Sequence, residues 1–93
     1  MYVILTSKPG QFTTELGDGL ERIEAYDYVF YGKTKACYVI ARLEREVKVR
    51  IVDDAGVNQI PSKMLPKFAT VAQARAEIAQ LASAGSDIRL VKR

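Results

Sequence analysis

Ninety-three residues, 48% of them hydrophobic, with 14 Lys/Arg against 11 Asp/Glu, describe a single globular domain (1–93) whose small core closes without staples. One cysteine and no histidine exclude an intramolecular disulfide, the Ser-His and Cys-His catalytic machineries and imidazole metal ligands. The apolar run nearest the start, Val3-Ile4-Leu5, is far too short for a signal peptide or a membrane span, so a cytoplasmic protein with no membrane partner is expected.

Tyr2 to Ser7 reads as a strand of β-branched and aromatic residues, closed by the turn signal Lys8-Pro9-Gly10. Its consecutive apolar positions predict a central strand covered on both faces. Gln11 to Leu16 is a short, Thr-rich second strand, and Gly17-Asp18-Gly19 a tight turn. A helix over 12–24 is the competing reading, but each glycine costs it about 1 kcal/mol relative to Ala.

From Tyr26 to Asp53 the chain alternates with period 2 in three segments, the pattern of an antiparallel meander. Five of the eight aromatics (Tyr26, Tyr28, Phe30, Tyr31 and Tyr38) lie in its first two strands. A loop at Lys33–Lys35 sets Phe30 opposite Tyr38, Tyr28 opposite Ile40 and Tyr26 opposite Arg42. A second loop at Glu44-Arg45 sets Ile40 against Val49 and Tyr38 against Ile51. Both registers gather Tyr28, Phe30, Tyr38, Ile40, Val47, Val49 and Ile51 on one face, which a slip of one residue would scatter. The other face then carries Asp27, Val29, Tyr31, Cys37, Val39, Ala41, Lys48 and Arg50. Neither turn has an Asn-Gly or Asp-Gly signature.

Asp53-Asp54-Ala55-Gly56 ends the meander. Residues 57–68 contain Pro61 and Pro66, lack periodicity and read as a connection that packs onto the domain through Ile60, Met64, Leu65 and Phe68. Thr70 and Gln73 form a capping box for a helix over about 71–84, with Val71, Ala74, Ile78, Leu81 and Ala82 in its apolar stripe and Gly85 at its stop. Ile88 to Val91 is a final strand that pairs at a sheet edge or beside the first strand. The expected class is α+β: two layers, an antiparallel sheet and one C-terminal amphipathic helix.

No motif marks out a catalytic centre. Gly32-Lys33-Thr34 lacks the earlier glycine and following helix of a phosphate loop, and Gly17-Asp18-Gly19 lacks a third glycine. Asp53-Asp54 lacks the spaced ligands of a calcium loop. Cys37 is a small semi-buried hydrophobe, or else a thiol activated by Lys33 and Lys35. No cofactor or metal is expected.

The charge is uneven. Residues 1–31 hold two Lys/Arg against five Asp/Glu, and residues 32–93 hold twelve against six. The candidate interaction surface is therefore Tyr31, Lys33, Lys35, Arg45, Lys48 and Arg50. The first functional expectation is a small non-catalytic module that binds a protein partner, or a second copy of itself, through an open and half-apolar sheet face. Binding of nucleic acid by the basic and aromatic residues is the second. A histidine-free enzyme using a carboxylate or the thiol is the third.

Overall fold

Residues 1–81 and 88–93 are described by a computed structural model. The elements run β1 (Tyr2–Ser7), β2 (Phe12–Thr14), β3 (Leu20–Phe30), β4 (Lys33–Leu43), β5 (Lys48–Asp53), β6 (Gly56–Pro61), a 3-10 turn (Ser62–Met64), α1 (Val71–Leu81) and β7 (Ile88–Lys92). All pairings are antiparallel and form two sheets, β1-β4-β3-β7 and β2-β5-β6. The α+β class expected from sequence is the class found.

The helix covers one face of the four-stranded sheet. Ile40, Ala74 and Ile78 are buried there, with Tyr2, Ile4, Ile23, Tyr26, Tyr38, Phe68, Val71 and Leu90 around them. The tyrosine-rich face is thus the helix face, as the period-2 pattern predicts. Burying Ile40 and Ile78 stabilises the fold by about 1.5–3 kcal/mol each. The helix start is capped as expected: Thr70 Oγ1 accepts the Gln73 N–H at 3.1 Å, while Gln73 Oε1 accepts the Ala69 N–H at 3.0 Å. The expected extension to residue 84 and the Gly85 stop lie outside the described residues.

The opposite face of that sheet carries Val3, Leu5 and Ala41, which bury against Val49 of the three-stranded sheet, flanked by Leu20, Val39, Leu43 and Leu65. Two expectations change here. The chain does not turn back from β4 into β5. Residues 44–47 cross to the second sheet, and β1 takes the place beside β4. Val49 therefore meets Val39 and Ala41, not Ile40, and the face expected to be open is covered at Val39 and Ala41. Alternation alone does not say which edge a strand joins, so both topologies satisfy the same apolar pattern. β1 is covered on both faces as predicted, yet it ends its ladder. Phe68 guards its outer edge by exchanging backbone hydrogen bonds with Tyr2 at 2.8 Å.

The β3–β4 hairpin turns at Tyr31-Gly32, with φ of 50° and 74°, and not at Lys33–Lys35. Two positive φ values make a primed turn, whose twist suits a hairpin. Tyr26 faces Tyr38, and Tyr28 faces Ala36. Lys35 is the extra residue of a bulge, because Val29 pairs with Thr34. The register differs from the expected one by an even step, which is why the face assignment of Tyr28, Tyr38 and Ile40 survives.

Residues 56–61 are a strand and not a connection. β6 pairs along β5 across the Asp54-Ala55 turn, with Ala55 N–H held by Asp53 Oδ1 at 2.8 Å. All of β6 but Ile60 is exposed, so no face imposes a period on its residues. β7 pairs with β3 at the sheet edge.

Candidate interaction surfaces

The six predicted surface residues fall into two groups. Tyr31, Lys33 and Lys35 sit at the tip of the β3–β4 hairpin, all exposed. Arg45 lies past the far end of β4, about 33 Å away at roughly 3.3 Å per strand residue. Lys48 and Arg50 project from the outward face of β5 and are also exposed. The structure therefore unites Arg45, Lys48 and Arg50 and separates them from the hairpin tip.

The second group lines a cleft of about 330 Å³ together with Glu15, Gly17, Asp18 and Val47. Arg50 Nε lies 3.2 Å from Glu15 Oε1, and the Glu15 N–H donates to the Arg50 carbonyl at 2.9 Å. Among the described residues Arg45 and Lys48 have no ion-pair partner. Gly19 shapes the wall of this region: its φ is +83°, and a Cβ there would lie 2.7 Å from Val47 Cγ1 and 3.4 Å from Arg45 Cζ. A side chain at 19 would be strained at that φ and would crowd Val47, while Arg45 lies at ordinary contact distance.

A polar network pins the crossing segment beside the cleft. Ser62 is fully buried; its hydroxyl donates to Glu46 Oε2 at 2.6 Å and accepts the Val47 N–H at 2.8 Å. Lys67 Nζ reaches the Ser62 carbonyl at 3.1 Å and Glu46 at 3.2 Å. The Ser62 hydroxyl, then Lys67, hold the Glu46 carboxyl below its ordinary range.

Two further clusters escaped the sequence reading. Ile23 is the extra residue of a second bulge, this one in β3, and the next residue, Glu24, faces Ile40 on the helix side. Only 9% exposed, Glu24 receives both Nε and Nη2 of Arg75 and the Tyr26 hydroxyl at 2.6 Å. Those hydrogen bonds, Arg75 first, lower its pKa to about 2, against the opposing effect of burial. The signal was available: Glu24 stands two residues before Tyr26, so strand alternation puts a carboxylate on an aromatic face.

Three residues further along β3, on its opposite face, Asp27 pairs with Cys37. Arg93 Nε lies 2.9 Å from Asp27 Oδ1, and Arg93 Nη2 lies 3.4 Å from Cys37 Sγ. Burial first, then the hydrogen bond to Asp27, push the Cys37 thiol up. The cation beside it is Arg93, not Lys33 or Lys35, and burial and Asp27 outweigh it, which fits the first reading of Cys37 as a semi-buried hydrophobe and not the alternative of a thiol activated by the two lysines.

Among the described residues no three His, Cys, Asp or Glu side chains gather to hold a metal ion, and no helix is long and apolar enough to cross a membrane. An apolar hollow of about 160 Å³ lies between β1 and the three-stranded sheet, lined by Ile4, Leu5, Thr6, Phe12, Thr14, Val49, Ile51, Ile60 and Leu65. No protein-family model matches the chain, and neither curated proteins nor solved structures match it.

Proposed function

We propose that the protein is a non-catalytic interaction module that holds a protein partner on the outward face of the three-stranded sheet, at the cleft of Arg45, Lys48 and Arg50. The observation that carries this reading is the convergence of these three cations from two segments into one concave, solvent-exposed site beside Glu15 and Asp18. A surface of mixed charge favours a partner with a complementary charge pattern and sets its register. The most enclosed carboxylate and the thiol are engaged in contacts away from the cleft. Glu24 is bound by Arg75 and Tyr26, burial and Asp27 push the Cys37 thiol up, and the apolar hollow is lined by no acid or base.

The test is reversal of the two unpaired cations, Arg45→Glu with Lys48→Glu. Partners captured by the wild-type chain from cells that express it are titrated against both forms. Expected is loss of the partner by the double variant, with stability within about 0.5 kcal/mol of wild type. Equal affinity for both forms overturns the reading.

The hairpin tip favours a second reading, a nucleic-acid contact. Tyr31 is 67% exposed and held at positive φ, flanked by Lys33 and Lys35. An exposed ring among cations is the unit that stacks single-stranded bases. Titration of single-stranded RNA and DNA at low and moderate salt tests it; binding should weaken steeply with salt, and absence of binding at low salt overturns it.

A further inference from the structure

The free edge of β6 has the makings of a self-complementary contact. β6 ends its sheet, with β5 on one side and, among the described residues, no strand on the other. The Ser62 N–H donates to the Val47 carbonyl at 2.7 Å, and the Glu15 N–H donates to Arg50. These bonds set the alternation of the ladders. Residues 49, 51 and 53 of β5 exchange hydrogen bonds with 60, 58 and 56, so the backbone groups of Val57 and Gln59 point out of the sheet. Among the described residues neither finds a backbone partner.

Edge strands are commonly blunted by charges, above all Lys. β7, the exposed edge of the other sheet, follows that rule with Lys92, and Arg93 comes next. β6 reads Gly-Val-Asn-Gln-Ile-Pro and has no charge at all. Its two ends carry opposite signs: Asp53 and Asp54 precede it, and Lys63 follows it. Asp54 and Lys63 are exposed, and neither makes an ion pair among the described residues.

We propose that β6 pairs antiparallel with β6 of a second copy of this chain, around a twofold axis at Asn58. In that register Val57 of each copy lies opposite Gln59 of the other, forming about four backbone hydrogen bonds. A register centred on Gln59 is worse, because it sets Val57 against Pro61, which has no N–H. The centred strand brings the acidic end of each copy to the Lys63 end of the other, at both ends at once. Val57, half exposed in the single chain, is flanked by its neighbour's Gln59 side chain. Two three-stranded sheets become one of six strands. An isologous twofold interface of this kind closes on itself and does not propagate into a fibre.

The experiment is sedimentation velocity of the full chain across a dilution series. Expected is a mass that rises from one chain toward two with concentration. Gln59→Pro removes an outward N–H without touching the β5 ladder, so it should stay at the mass of one chain and melt near wild type. Asp54→Lys and Lys63→Asp should each weaken the dimer about tenfold, and the two together should restore it. That recovery separates a charge contact from a folding defect. A single-chain mass at every wild-type concentration overturns the proposal, including where the edge instead takes an extended peptide of another protein. A dimer that survives Gln59→Pro and both charge reversals overturns it as well.

Discussion

Glu24 on β3 and Arg75 on α1 form a two-pronged ion pair that ties the helix to the sheet at the border of the aromatic core. Glu24 is nearly buried, while the Arg75 side chain is half exposed. The Tyr26 hydroxyl donates to the same carboxylate, and its own pKa is raised, first by that bond and then by burial. A carboxylate enclosed in this way is a structural anchor, since a proton can enter only by breaking the bonds that fix the helix.

Acid should therefore loosen the helix. The Glu24 pKa falls from an ordinary 4.5 to about 2 in the fold. A depressed carboxylate pKa contributes stability that is complete above the unfolded value and is lost as pH drops toward the folded one. Wild type should lose stability between about pH 4.5 and 2. Glu24→Gln should be less stable at neutral pH, with a flatter decline across that window. Thermal melting of both forms at a series of pH values checks it; parallel curves would mean that Glu24 does not carry the acid limb.

The helix–sheet core should be intolerant of truncation. Ile40 and Ile78 are both essentially inaccessible and belong to one cluster. Ile78→Ala should cost about 2–5 kcal/mol, combining lost transfer energy with a cavity. Ile40→Ala should cost a similar amount, and the double variant should depart from additivity because the two sites share a cavity. Urea denaturation measures all three.

Ser62→Ala should cost about 1–3 kcal/mol by leaving the Val47 amide and the Glu46 carboxylate short of a partner. Because the lost bonds hold the 44–47 crossing, the Val47 amide should exchange with solvent faster than amides of β4. Hydrogen exchange by NMR distinguishes this local loosening from a uniform loss of stability.

The limits of the sequence reading have physical causes. The helix was legible because Thr70, Gln73 and the Val71-Ala74-Ile78 stripe agree. The aromatic face was legible because parity survives an even register error. The crossing at 44–47 was not, because a strand's alternation specifies which residues go inward and not which edge its neighbour takes. β6 was missed because an exposed edge strand needs no apolar period. The Tyr31-Gly32 turn was missed because Tyr is disfavoured at positive φ. Of the candidate surface, the grouping of Arg45 with Lys48 and Arg50 depends on that crossing, which places all three beside one cleft.

Tyr31 offers a substitution that separates folding from binding. Its φ of 50° puts a bulky side chain where Asn or Gly is preferred before Gly32. Holding an L-residue there costs about 1–2 kcal/mol. The offsetting gain is an edge-to-face contact with Phe30 at 4.4 Å, worth about 0.5–1.5 kcal/mol. With the ring 67% exposed, that contact belongs at the low end of the range. Relief of backbone strain should win, so Tyr31→Asn should be as stable as wild type or more so by about 0.5–1 kcal/mol. The same change removes the most exposed ring at the hairpin tip among the described residues, and leaves Lys33 and Lys35 in place. If the tip binds single-stranded nucleic acid by stacking, Tyr31→Asn should lose affinity while keeping the salt slope set by the lysines. Unchanged affinity in a variant of equal or greater stability would exclude the ring as a stacking platform.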